Sequence, residues 1–382
     1  MDEIEKPVAS PPGSAWGSDV VASLVQAMGY RHITLNPGAS FRGLHDSLVN
    51  HTGNRDPQMI LCLHEGNAVA IAHGWAKITG EPMAVVLHSN VGLMHGTMGL
   101  FNAWCDRVPM LVLGATGPVD AAARRPWIDW LHTMSDQAAL VRPFLKWDNQ
   151  PASVPAAVEA LLRANLITRS APCGPVYVNL DAALQEMRLD TLPALPDVAR
   201  YAPPAASVPS GATIDAAVAM LRAAKRPMIL AGRGARSTAD WARRVALAEA
   251  LDAVVLTDFK VGAAFPTDHP LHAAAPTTFL TEKAQAALRG ADLVLAFDWV
   301  DLAGTLKQAG GFAGRVIHAT LDQQLHNGFG MEHFGLPPVD LHMACEPAIA
   351  LHAIADALGV GAGIPPGDLP ACPALPPAPA DA

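Results

Sequence analysis

The stretch from Met59 to Pro118 constrains the fold more than any other part of the chain. Met59-Ile60-Leu61-Cys62-Leu63 is an apolar run too short for a helix and suited to a buried strand. His64-Glu65 close it, and a helix of small residues is expected from about Gly66 to Thr79. Met83-Ala84-Val85-Val86-Leu87 reads as a second strand, ending on His88-Ser89-Asn90. A second helix is expected after Gly92, reaching about Trp104, and Pro109 to Leu113 reads as a third strand. This order makes a parallel βαβαβ unit. Ligands of such sheets bind beyond the carboxyl ends of the strands. Glu65 and His88 fall there.

The flanking sequence extends the pattern. Ser14 to Gly29 reads as a capped helix, His32 to Leu35 as a strand, and about Phe41–Asn50 as a helix after the turn Asn36-Pro37-Gly38. The helix Ser153–Asn165 and the strand Pro175–Leu180 close a first domain, 15–190, behind a Pro-rich tail, 1–14. Residues 191–211 are rich in Pro and Ala, have no clear period and read as a linker. A second domain, 212–358, alternates again. Helices are expected at Ile214–Ala224, Thr238–Leu251, Thr281–Leu288 and Pro347–Leu358, with strands at Pro227–Gly232, Val254–Thr257, Leu293–Phe297 and Val316–Leu321. Residues 359–382 form a Pro/Ala-rich tail. The expected fold class is α/β, with two doubly wound parallel-sheet domains, each sheet covered on both faces.

The first domain resembles the pyrimidine-binding domain of thiamine-diphosphate enzymes of the acetolactate synthase, pyruvate decarboxylase and benzoylformate decarboxylase superfamily. The residues that carry this are His64-Glu65-Gly66-Asn67-Ala68, then Ala72-His73-Gly74-Trp75-Ala76 with Thr79-Gly80, and Asn36-Pro37-Gly38-Ala39 after the first strand. Leu87-His88-Ser89 with Asn102-Ala103-Trp104 looks most like benzoylformate decarboxylase and its relatives. The second domain resembles the family's Rossmann-like middle domain. The resemblance runs from about Ala15 to about Leu358.

The resemblance implies roles. Glu65 would hydrogen-bond the aminopyrimidine ring of thiamine diphosphate. Such a carboxyl, at a strand end among apolar neighbours, is expected to have a raised pKa. His88 matches an active-site histidine that moves protons, and His132, in Leu131-His132-Thr133, resembles the second histidine of a His-His pair. For each, a purely structural hydrogen-bonding role stays open. Asn36, Pro37, Gly38, Ser89 and Gly92 would line the cofactor with Glu65. Two departures touch the pocket: Ala39 stands where benzoylformate decarboxylase has a substrate-contacting Ser, with Ser40 next, and Met94-His95 replace Thr-Asn. His95 is expected on a helix face.

Full-length members carry a third domain that binds the diphosphate through a metal held by Gly-Asp-Gly. Here Gly367-Asp368-Leu369 comes nearest. The expected function is therefore a subunit of a split thiamine-diphosphate-dependent lyase or carboligase acting on a 2-keto acid or related acyl donor. A separate subunit would carry the diphosphate domain and its magnesium. A homodimer of this chain within a heterotetramer or larger is expected. The alternative to a split enzyme is a truncated gene product, and a reading from another class is a non-catalytic scaffold or regulatory subunit of the same fold.

Composition removes other classes. A net charge of -9 does not suit nucleic acid, which wants basic patches. The 5 cysteines are scattered without a CxxC pair. The 15 histidines invite metal readings, but His64/His73 and His88/His95 lack tight ligand spacing, so no metal site is expected in this chain. The acidic start lacks a signal-peptide layout, and no apolar run approaches the ~18 residues of a membrane span. A cytoplasmic location is expected. Gly232-Arg233-Gly234-Ala235-Arg236-Ser237 is a weak fragment of a dinucleotide fingerprint, with a tight Gly turn as the plainer reading.

Overall fold

The computed structural model describes residues 15–325 and 335–362. The expected tail 1–14 and most of the tail 359–382 lie outside the described residues. Two compact units divide between Ala206 and Ser207, and the chain from Asp322 returns to the first. Arg107 holds that return, with Nε 2.8 Å from Oδ1 of Asp322.

The strands of the first unit are β1 (Ala15–Trp16), β2 (His32–Leu35), β3 (Gln58–Leu61), β4 (Met83–Leu87), β5 (Met110–Thr116), β6 (Trp147–Asn149), β7 (Pro175–Asp181) and β8 (Arg188–Leu189). Its helices are α1 (Gly17–Ala27), α2 (Arg42–Asp46), α3 (Glu65–Thr79), α4 (Ser89–Cys105), α5 (Ile128–Leu131), α6 (Val154–Arg169) and α7 (Ala182–Gln185). Six strands form one parallel sheet in the order β3-β2-β4-β5-β7-β6, while β1 and β8 pair separately. The unbroken apolar runs of β4 and β5 fit this placement: both are buried throughout, between helices on either face. One face packs against α1 and α6 through Leu24, Ile33, Leu113 and Leu161; the other packs against α3 and α4 through Val69, Leu87, Leu100 and Trp104.

From β2 the chain steps outward to β3, then crosses back to β4 on the opposite side. The order therefore reverses beside β2, and the loops after β2 and β4 diverge. A crevice opens at such a switch point, at the carboxyl ends of the strands.

The expected buried strand 59–63 is corrected in two ways. It runs from Gln58 to Leu61, and it is the edge of the sheet, so Leu61 and Leu63 are exposed. An apolar run specifies a strand without saying whether both its sides gain a neighbour. The first helix of the central unit starts at Glu65, with His64 as its cap, and the second starts at Ser89. β5 continues to Thr116 because β7 pairs with it as far as Asp181. Leu195 and Val198 of the expected linker pack against the first core.

The second unit has strands β9 (Pro227–Ala231), β10 (Val254–Thr257), β11 (Leu293–Phe297), β12 (Arg315–Ala319) and β13 (Leu341–Met343). Its helices are α8 (Gly211–Ala223), α9 (Thr238–Ala250), α10 (Glu282–Gly290), α11 (Leu302–Gln308) and α12 (Pro347–Leu358). The sheet is parallel, in the order β10-β9-β11-β12-β13, with its own reversal beside β9. Both units are thus α/β with doubly wound parallel sheets. Among the described residues no helix is long and apolar enough to cross a membrane.

Candidate active site

Three turns meet at the crevice of the first sheet. Glu65 is the first residue of α3, and the side chain of His64 caps the helix by accepting from the Gly66 amide at 2.9 Å. Glu65 is buried. Nδ2 of Asn36, in the turn after β2, donates to its Oε1 at 3.0 Å. Nδ1 of His95, in α4, lies 3.1 Å from its Oε2. Gly92 closes one side: a Cβ there would stand 3.3 Å from Cγ and Oε1 of Glu65.

The expected raised pKa of Glu65 is overturned. Burial does push the carboxyl up, but hydrogen bonds from its own backbone amide, Asn36 and His95 outweigh it, so it titrates below its ordinary value. Apolar neighbours were legible in the sequence, whereas the side-chain donors came from two other segments.

His88 precedes α4 and is packed from three sides. Its Nδ1 lies 2.8 Å from Oγ of buried Ser40. The ring of Phe41 meets it edge-on. Gly38 must be glycine here, since a Cβ would come within 2.3 Å of Cγ of His88. Burial lowers the His88 pKa, nearby His132 adds to that, and Glu65 works the other way. The net direction favours a neutral imidazole, able to take a proton near neutral pH.

His132 follows α5, and its ring centroid lies 4.6 Å from that of His88. Sequence separation hid this pair. The segment is anchored by buried Asp129, which binds Arg125 at 2.9 Å, and by the Gly117 amide, which donates to the His132 carbonyl. Ser89 is buried, with Oγ donating to Oδ1 of Asn90 at 3.1 Å. Pro37 stays exposed on the turn.

Sequence reasoning missed three partners: Ser40 on His88, His95 on Glu65, and the Arg125–Asp129 anchor. His64, Glu65 and His95 also offer ligand atoms within 4.8 Å of one another, a set that spacing along the chain does not show. The two imidazoles stack at 5.0 Å and 20°.

An ionised carboxylate, a neutral imidazole and a second imidazole around a glycine-walled crevice suit an aminopyrimidine ring. The carboxylate can accept from a protonated ring nitrogen, and the glycines let His88 and Glu65 pack close to the turns. The comparisons with known proteins give the family. The model of the N-terminal TPP binding domain of thiamine pyrophosphate enzymes matches residues 15–140, and that of their central domain matches 214–328. The chain belongs to this family, thiamine pyrophosphate being another name for thiamine diphosphate.

It is 28% identical over 293 residues to a Pseudomonas aeruginosa protein named as a probable 2-ketoarginine decarboxylase, covering 76% of this chain and 49% of that one. It is 28% identical over 268 residues to the acetolactate synthase large subunit of Corynebacterium glutamicum, covering 68% of this chain and 40% of that one. The fold matches the crystal structure of benzoylformate decarboxylase from Polynucleobacter necessarius with a TM-score of 0.72 at 22% identity, covering 90% of this chain and 61% of the other. The chain spans about half the length of curated relatives it matches, 49% of the Pseudomonas protein and 46% of a probable acetolactate synthase large subunit of Methanocaldococcus jannaschii.

Proposed function

We propose that the chain is a subunit of a split thiamine-diphosphate-dependent lyase or carboligase, making or breaking a carbon–carbon bond beside the carbonyl of a 2-keto acid or related acyl donor. The observation that carries this reading is the convergence of Glu65, His88 and His132 at the switch point of a thiamine-enzyme N-terminal domain. The bound cofactor supplies the carbanion chemistry that the side chains cannot. Glu65 would hold the pyrimidine ring nitrogen, accepting a hydrogen bond from it when that nitrogen is protonated. Asn36 keeps the carboxylate aligned. Gly38 and Gly92 let His88 and Glu65 sit close against the turns. His88, neutral and oriented by Ser40, takes and returns protons on the substrate side, and His132 pairs with it.

In this reading the diphosphate and its magnesium are held by a Gly-Asp-Gly domain on a separate polypeptide. Two copies of this chain pair within a heterotetramer or larger, in the cytoplasm. Exposed Met94 and Met98 on α4, and Trp127 and Trp130 at α5, support the association, because large exposed apolar side chains favour a partner.

The test is co-purification with a polypeptide carrying that domain, then assay of a 2-keto acid panel with thiamine diphosphate and magnesium. Turnover is expected from the complex and from neither part alone. Tight magnesium-dependent binding of the cofactor by the isolated chain would overturn the split-site reading.

A further inference from the structure

Both oxygens of the Glu65 carboxylate are held from within the chain, by two different kinds of residue. Oε1 faces inward, where Asn36 donates at 3.0 Å and Gly92 stands close. Oε2 faces outward, to His95 at 3.1 Å. Glu65 opens α3, and His95 lies about two turns into α4, so the contact crosses between packed helices. The His95 side chain is 52% exposed, against 5% for Glu65. On its other side His95 stacks on His64 at 5.0 Å, and His64 is itself fixed by the Gly66 amide. The outer oxygen is thus held by a ring steered by another ring. The titratable groups around Glu65 are His95 on α4, His64 at its own cap and His88 across the crevice.

We infer that His95 is a positioning residue for Glu65. It orients the outer carboxylate oxygen toward the crevice mouth and holds the group in its ionised form. Resting on the reading of Glu65 above, His95 is also the donor that an incoming ring nitrogen replaces, entering in its protonated form so that its own N–H takes over the bond to the carboxylate. The inner side is closed by Asn36 and Gly92, and only the outer donor sits on a half-exposed side chain. The cofactor would then exchange one hydrogen bond for another and would not need to bring an isolated carboxylate out of water, which limits the desolvation cost of its entry.

The test is a carbon-13 NMR titration of the Glu65 carboxyl in the full chain. In His95→Ala the midpoint is expected to rise by roughly one pH unit, the effect of removing a close donor to the charged form. His95→Gln, which keeps an N–H donor, should fall between that variant and the wild type. His73→Ala, away from Glu65, should leave the midpoint in place. An unchanged midpoint in His95→Ala, or no recovery in His95→Gln, overturns the assignment. A second arm follows binding of 4-amino-5-hydroxymethyl-2-methylpyrimidine by proton NMR. Tighter binding by His95→Ala than by wild type supports displacement, and equal or weaker binding overturns it. Binding by no protein would count against the cofactor reading of Glu65, while the titration still decides whether His95 positions it.

Discussion

The chain carries two doubly wound sheets, each with a crevice at its switch point, and the two crevices are furnished in opposite ways. In the first sheet the turns after β2, β3 and β4 bring Asn36, Glu65 and His88 to the mouth, where His95 and His132 join them. In the second, Arg233 after β9 reaches across to Asp298 after β11, with Nε 2.9 Å from Oδ2, and Thr320 after β12 donates to the same carboxylate. Gly232 lies so near this loop that a Cβ would stand 2.4 Å from the Asp298 carbonyl oxygen. Close packing thus accounts for the glycine of the Gly-Arg-Gly turn without a dinucleotide. One topology supplies an equivalent location twice. The first gathers a carboxylate and imidazoles at its mouth, and at the second Arg233, Asp298 and Thr320 hold one another. A shared topology does not carry a shared function.

The largest effect expected from breaking this contrast is at Glu65. In the active enzyme Glu65→Gln should cut turnover by roughly 10²–10⁴-fold with folding intact, since the amide cannot exchange the proton. Turnover within a few-fold of wild type would remove Glu65 from the chemistry. Arg233→Ala should do the reverse. It leaves the charge of Asp298 in a mostly buried site, at a cost of about 3 kcal/mol in chemical denaturation, while turnover per folded molecule is kept. A selective loss of turnover there would show that the second crevice also serves the reaction.

Gly232→Ala should cost roughly 1–3 kcal/mol, because the backbone around Asp298 must shift. Stability equal to wild type would show that the loop has slack, reopening the ligand reading of the turn. The smallest effect lies away from both crevices. Burial pushes the Asp106 carboxyl up, but hydrogen bonds from His73 and Lys77 outweigh it and the net pKa is lowered. A depressed folded-state value means the contribution is complete above the unfolded value of about 3.9. It is then lost as pH falls through the folded value. Asp106→Asn should therefore cost about 1 kcal/mol at pH 7, and the gap should close under strong acid. Urea melts at both pH values check this, and a gap that persists in acid would make the loss one of packing rather than of charge.

Much of this was legible from residue order. Short apolar runs ending on His64-Glu65 and His88, alternating with helices, determined a parallel sheet and placed two polar groups at its carboxyl edge, because strand length, periodicity and crossover are local properties. Tertiary structure decided what the chain alone does not encode. Leu63 became an exposed residue beside an edge strand, since the number of neighbours of a strand depends on the whole sheet. His132 met His88 across 43 intervening positions, and Ser40 reached the same ring from another turn. Gly114 had to lack a side chain because the Tyr177 hydroxyl fills its place, at 1.8 Å from where a Cβ would lie. Glu65 titrates low rather than high because Asn36 and His95 come to it from separate segments. A carboxylate's ionisation is set by the donors around it, and those donors are assembled only when the sheet closes.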